Sequence, residues 1–297
     1  MGWGQFIQYV VYGVALGSLY SLIAIGYTII YGIVGLINMA HGDFFMVAAY
    51  VAMWGILVWK LPMPASYALG AALAIALGVT AERIVYRPLR GAKISAFIGA
   101  IAVSSILQNT FVVFFSPRSK PFPHPAFLDR VLQFGEVALP VSMLFIIAAS
   151  VLLFLILTYI VTKTKTGRAM RALSKDLEAA QLVGVNPDRV ISFAFVLSTA
   201  FAAAGAFLWC SKVPYVDPFT GMMPGLKAFI AAVLGGIGSI PGALLGGFLL
   251  GLGEVMIVAA LPMLTPFRDI FAYLILILFL LIRPGGLFNV TVREEKV

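Results

Sequence analysis

Asn38, His41 and Asp43 stand within six residues of one another between two long apolar runs, with Gly42 among them. A charged side chain in such a place costs at least ~2.5–3.5 kcal/mol on membrane-insertion scales, so its presence asks for a reason. Two readings follow from the spacing. The trio forms a short interfacial turn in contact with water or headgroups, or it lines or gates a polar path. A second candidate is the octet Gly235-Gly236-Ile237-Gly238-Ser239-Ile240-Pro241-Gly242. Proline removes a backbone donor and glycine frees the dihedrals, so this stretch breaks a helix. Non-helical backbone at membrane depth survives only where protein or a water-filled cavity covers it. The octet is therefore a candidate for the inner wall of a pathway.

Glu254 lies in a glycine-rich apolar run, where helix packing with a local hydrogen bond accounts for it better than proton coupling. Lys227 precedes the octet and is read as snorkelling to the outer interface. Docking of an extracytoplasmic partner is the sharper alternative for it. His41 and His124 are far apart in the chain and Cys210 is the sole cysteine, so no metal-ligand spacing and no internal disulfide are offered. Neither a Gly-x-x-x-x-Gly-Lys-Ser/Thr phosphate loop nor a serine-histidine-acid arrangement occurs. The residues read as a conduit that binds no cofactor of its own.

The elements that position these residues must be membrane helices. Of 297 residues, 62% are hydrophobic and only 11% charged, with a mean hydropathy of +1.04. A soluble domain carries roughly 25% charged residues and lacks the interior to hide this much apolar surface. A soluble enzyme, a secreted disulfide scaffold and a nucleic-acid-binding domain are excluded. The net charge of +8 reflects short basic loops rather than a polybasic face. Candidate spans fall near 6–33, 43–59, 65–84, 94–115, 137–161, 190–211, 226–260 and 267–282. The fold class is an all-α polytopic membrane protein of about eight transmembrane helices, broken or re-entrant near 38–43 and 235–242. Residues 1–40 lack Lys, Arg, Asp and Glu, and with no basic n-region the first run is expected to be a retained helix.

Thirteen of the twenty basic residues lie in three segments: Arg83 to Lys93, Lys163 to Arg189, and Arg283 with Arg293 and Lys296. The positive-inside rule places these in the cytoplasm. The opposite side receives Lys60, the proline-rich 116–136 loop and the 212–224 loop. Residues 226–260 must then start and finish outside, as a re-entrant or two-span hairpin. An apolar helix follows each break, at 44–59 and at 243–260, which suggests a weak internal repeat of the kind that points to a transport site.

The inner stretch 163–190 carries strong helix formers over 168–183, with Gly184 placed as a C-cap and Pro187 soon after. Met170, Leu173, Leu177 and Ala180 recur on one side, so an amphipathic helix is expected. Its apolar side needs cover, from the headgroup region or from a groove on a soluble partner.

Glu178-Ala179-Ala180-x-x-x-Gly184 resembles the EAA coupling signature of ABC-importer permeases. Three further stretches resemble one family: Gly17-Ser-Leu-Tyr-Ser-Leu-Ile-Ala-Ile-Gly-Tyr-Thr28, Ile37-Asn-Met-Ala-His-Gly-Asp43, and Gly225-Leu-Lys-Ala-Phe229 running into Val233 to Ala243. Together they are similar to high-affinity branched-chain amino acid transport permeases of the LivH type, over nearly the whole chain and in the same order. The resemblance implies a single transmembrane permease domain over 1–297, with 162–190 as its cytoplasmic coupling loop. It implies an ATP-driven importer in a bacterial cytoplasmic (inner) membrane, with ATP and Mg on two partner ATPase subunits. A second permease, related or a second copy, and a periplasmic or lipid-anchored binding protein complete the expected partners. Arg168, Arg171, Glu178, Ala179, Ala180 and Gly184 would dock on the ATPase, and both breaks would lie along the path. Many ABC importers continue the signature with Ile-x-Leu-Pro; here Asn186-Pro187-Asp188-Arg189 follows instead.

Branched-chain amino acids, urea and short amides all suit a path with few charges. An ion-coupled secondary transporter is the rival class and leaves the amphipathic inner helix unexplained. Under the importer expectation, Glu178→Arg uncouples ATP hydrolysis from uptake while membrane insertion stays intact. Normal transport by that variant, measured beside its ATPase rate, would remove the coupling role from this heptad.

Overall fold

A glycine-lined crossing of two long helices organises the computed structural model, which describes residues 2–135, 137–283 and 285–288. Arg293 and Lys296, counted above as inner basic residues, lie outside the described residues. The first helix, α1 (Trp3–Val34), is uncharged throughout and buried over Ala15 to Ile30. It stops at Gly35, whose φ of 69° is the left-handed cap that glycine adopts freely. Against α1 runs α10 (Ile240–Ala260). A Cβ on Gly17 would sit 2.8 Å from the Phe248 Cα, and one on Gly247 would run into the Ser21 backbone. In lipid there is no hydrophobic drive between helices, so such small-residue contacts, which let backbones touch, supply the packing.

Around this pair the remaining helices follow in chain order. Helix α2 (His41–Leu57) packs along α3 (Met63–Ala81), with Gly55 against Ser66 and Gly70 against Ala48 and Ala52. A π-helical turn, Glu82–Tyr86, continues α3. Helices α4 (Lys93–Phe115) and α5 (Val141–Lys163) leave most of their apolar side chains exposed on the bundle's outside, as lipid-facing helices do. Next come α6 (Lys165–Lys175), α7 (Leu177–Leu182) and α8 (Pro187–Lys212), then α9 (Met222–Gly235), α10 and α11 (Arg268–Ile282). Among the described residues, seven helical segments are long and apolar enough to cross a membrane, and α2 and α9 are shorter apolar ones.

The expected hairpin over 226–260 is present as α9 and α10, and the break before α2 is present too. The short helix follows the first break and precedes the second. Two expectations need correction. The span placed at 137–161 begins instead at Val141, because Val137–Pro140 is a strand (β3) paired with Val131–Phe134 (β2). A second small ladder joins Lys120–Pro121 (β1) to Tyr215–Val216 (β4). The single helix over 168–183 is two helices, parted at Asp176. The Asp176 carboxylate accepts from Ala179 N at 3.0 Å, so the side chain that ends α6 caps α7. Leu177, placed on the apolar side by a continuous helix, is consequently 40% exposed.

Lys227 is also corrected: it neither snorkels nor offers itself at the outer surface. It is 4% exposed, and its Nζ lies 2.8 Å from Glu254 Oε1 and 2.6 Å from Asp269 Oδ1. The Tyr20 hydroxyl donates to Glu254 Oε2 at 3.0 Å, and Arg268 Nε stands 3.5 Å from Oε1. Two cations and two carboxylates thus close on each other and tie α1, α9, α10 and α11. Hydrogen bonding by Glu254 was expected; the lysine partner, 27 residues earlier, was not. Removing one member of a buried pair strands the other charge, at about 3–5 kcal/mol. Lys227→Met is therefore expected to lower stability by about that amount, and adding Glu254→Gln to recover much of it. Thermal unfolding in nanodiscs checks this; an additive double variant would contradict it.

Candidate translocation and coupling sites

The first break is enclosed by protein. Asn38, His41 and Asp43 are 1%, 0% and 3% exposed, so the reading of an interfacial turn touching water or headgroups does not hold. Each is positioned from a different element. Tyr86, in the π turn, donates its hydroxyl to Asn38 Oδ1 at 2.6 Å. Ser198 of α8 lies 3.2 Å from His41 Nδ1 and donates to the Gly26 carbonyl of α1 at 2.9 Å. The Tyr27 ring stands 4.6 Å from the imidazole, centre to centre. Gln108 of α4 donates to Asp43 Oδ1 at 2.8 Å and is itself 3.2 Å from Ser104 Oγ. Asp43 sits in the first turn of α2, where the helix dipole favours a negative charge, although the His41, Asp43 and Phe44 amides already donate to the Asn38 and Ala40 carbonyls. Among the described residues, no cation pairs with this buried carboxylate.

Gly42 explains why this turn is glycine. A Cβ there would meet the Gly221 carbonyl oxygen at 2.5 Å and the Gly225 Cα at 3.6 Å. The first turn of α2 is thereby seated on the first turn of α9. By length, α2 spans roughly 26 Å and α9 roughly 21 Å, each short of the ~30 Å hydrocarbon core. Two short helices meet, start to start, beside Asn38, His41 and Asp43.

The second break lies elsewhere. Gly236 and Gly238 take φ of 102° and 99°, and Ser239 Oγ accepts from Gly242 N at 3.1 Å, capping α10 with Pro241 in its first turn. Gly235 packs on Gly242, and Gly238 faces Gly32 of α1. The carbonyls of Leu234 and Gly235, left over at the end of α9, accept from Leu287 N at 2.9 Å and Phe288 N at 3.3 Å. The octet is thus a hairpin turn at the far end of α9, with its glycines at 235, 236 and 242 buried, residues 237–240 half-buried and Pro241 exposed, roughly 21 Å along that helix from the Gly42 contact.

In the inner loop, Thr164 caps α6 by accepting from Gly167 N at 3.0 Å, and Gly184 closes α7 with φ of 85°. Met170, Leu173 and Ala180 turn inward, whereas Arg168, Glu178, Ala179 and Gly184 are exposed. Arg171 donates to the Val161 and Thr162 carbonyls at the end of α5. Leu182 and Val183, 89% and 78% exposed, extend the exposed face with apolar side chains.

Sequence reasoning missed Tyr86, Gln108, Ser198, Gly221 and Gly225, each of which reaches the first break from a distant element. Their local sequence carries no signal beyond a polar or small residue in an apolar run. Among the described residues, no three His, Cys, Asp or Glu side chains gather as a metal site.

Comparison with known proteins places the chain in a family. Residues 9–280 match the family described as branched-chain amino acid transport system / permease component. The chain is 40% identical to the high-affinity branched-chain amino acid transport system permease protein BraD of Pseudomonas aeruginosa, over 96% of each chain. It is likewise 40% identical to the permease protein LivH of Escherichia coli, over 96% of each. A shorter stretch, 38% of this chain, is 34% identical to the autoinducer 2 import system permease protein LsrC of Yersinia pestis. Among solved structures, PsaBC from Streptococcus pneumoniae in complex with Fab aligns over 94% of this chain and 92% of that one, at 14% identity and a TM-score of 0.49. A multi-pass helical bundle with interrupted helices and an exposed inner loop, matched over nearly its whole length, belongs to the branched-chain amino acid transport permease family.

Proposed function

We propose that this chain moves leucine, isoleucine and valine inward across a bacterial cytoplasmic membrane, as one permease subunit of an ATP-driven importer. ATP and Mg act on two cytoplasmic ATPase subunits; a second permease, and a periplasmic or lipid-anchored binding protein that delivers the amino acid, complete the assembly. The observation that carries the reading is the seating of α2 on α9 through Gly42, Gly221 and Gly225, in a chain of this family. Such a contact is backbone on backbone, so parting it opens a gap without dragging large side chains through the core. The groups beside the gap are an aspartate and the positive dipole end of α2. A free amino acid carries one ammonium and one carboxylate, and these are the partners each would choose. The apolar surroundings, with Tyr27 and Phe229 in edge contact 5.8 Å apart, suit a branched aliphatic side chain.

Alternating access follows if the inner loop is the lever. Arg168, Glu178, Ala179, Leu182 and Val183 form an exposed ridge that fits a groove on a soluble partner better than a headgroup layer. Movement of that ridge shifts the bundle only if the ATPases contact it differently in their two states. The two breaks play different parts: Asn38 to Asp43 border the solute, and the 235–242 turn closes the inner end of the hairpin.

Proteoliposomes carrying this chain, its neighbouring permease, the ATPases and the binding protein are expected to accumulate radiolabelled leucine only with ATP, in competition with isoleucine and valine. Accumulation of urea or an amide in place of leucine would overturn the substrate. Uptake indifferent to ATP and driven by an ion gradient would overturn the importer.

A further inference from the structure

Glu82 is a carboxylate with 0% exposure that the path and the lever leave unused. It begins the π turn, whose Arg87 N donates to the Glu82 carbonyl at 2.7 Å. Its side chain is held from two directions. Arg90 Nη2 pairs with Oε1, and Ser192 of α8 donates to Oε2 at 2.7 Å. Arg90 does not stop there: its Nη1 donates to Asp188 Oδ1 at 2.5 Å, and Arg87 Nη2 stands 3.5 Å from Oδ2. Asp188 and Ser192 are four residues apart, so they present one face of α8 to the π turn.

Two features give this cluster a direction. Asp188 is the second residue of α8, only four past Gly184, where the inner loop ends; Asn186 caps the helix by accepting from Arg189 N at 3.2 Å. At the other end, Tyr86 closes the same π turn, lies against Phe195 of α8 with the rings tilted and 5.1 Å apart, and holds Asn38. Asn38 in turn takes the His41 amide on its carbonyl at 3.2 Å, at the start of α2. A π turn carries one residue more than an α turn, and such turns recur at functional sites because the helix can change register there. Two guanidinium groups and two carboxylates pair within the cluster, with Glu82 and Arg90 on its buried side and Arg87 and Asp188 on its exposed side.

We infer that Glu82, Arg87, Arg90, Asp188, Ser192 and Tyr86 form the joint that carries movement of the cytoplasmic loop to the Asn38–Asp43 break. They are positioning residues: none borders the solute, and each acts through the next. The inference rests on the importer reading above, in which the loop is the lever. Without the joint, α8 still reaches His41 through Ser198, but the π turn and Asn38 no longer follow it.

The test uses the complete importer in proteoliposomes and reads solute moved per ATP hydrolysed. Tyr86→Phe keeps the ring on Phe195 and removes only the hydroxyl that holds Asn38. Arg90→Gln removes the closer of the two guanidinium links between Glu82 and Asp188, Arg87 remaining 3.7 Å from Glu82 Oε1 and 3.5 Å from Asp188 Oδ2. Each is expected to lower the solute-to-ATP ratio at least about fivefold while the ATPase rate persists, the low end of ordinary coupling between sites. The double variant is expected to be no worse than the poorer single one, because both lie on one path. Arg90→Lys keeps a cation beside Glu82 but lacks the fork that also reaches Asp188, so it is expected to leave the ratio lowered while the complex assembles normally. If ATP hydrolysis and transport fall together in proportion to assembled complex, the residues are merely structural and the inference is wrong. An unchanged ratio, or two effects that multiply, would also overturn it. Wild-type uptake that ignores ATP would instead remove the importer reading itself, so the two failures are told apart by the control.

Discussion

Backbone that leaves a helix inside a bilayer must find its hydrogen bonds within the protein, and this constraint shapes everything else in the fold. The chain breaks after α1 and after α9, and each break is wrapped. The first is walled by α3's π turn, α4, α8 and the start of α9; the second is covered by α1 and by the 285–288 turn, whose amides take the carbonyls left over at the end of α9. Glycine makes the wrapping close enough. Gly42 on Gly221, Gly235 on Gly242 and Gly17 on Phe248 are contacts in which a methyl group would force backbones apart. Long α1 serves as the post on which both broken regions lean.

The same economy governs charge. Among the described residues, three buried acidic side chains are each answered differently. Glu254 faces Lys227, with Asp269 and Arg268 completing a neutral set that pins four helices. Glu82 faces Arg90 and is tied through it to Asp188. Asp43 meets the neutral side chains of Gln108 and Ser104 at the start of its own helix. Ion pairs between buried partners hold elements together, whereas the Asp43 carboxylate is answered by neutral side chains and a helix terminus; under the proposed function it is the one that would meet an arriving ammonium group.

Spans and breaks were legible in the sequence because they follow from local rules. Apolar length marks a helix, glycine with proline marks its interruption, and basic loops mark a side. The partners of the polar residues were not legible. Lys227 reads as an interfacial lysine until Glu254 and Asp269 come up from later helices, and nothing within twenty residues of it announces them. Tyr86 and Asn38, 48 residues apart, meet for the same reason. Asp176 shows a local error of a different kind: its helix-interrupting cap was in the sequence, but the strong helix formers on both sides outweighed it. Val137–Pro140 was absorbed into an apolar run that periodicity alone cannot divide between strand and helix.

The central claim is that the seam between α2 and α9 opens alternately to the two sides of the membrane. Ala40, the residue before α2, is fully buried in the closed arrangement, and the buried Cys210 is the sole native thiol. An Ala40→Cys variant in a Cys210→Ala background, within the complete importer, can be probed with membrane-impermeant thiol reagents from either side. The account expects labelling from one side with ATP bound and from the other without it. A thiol that stays unreactive from both sides in every nucleotide state would place the path elsewhere and contradict the account.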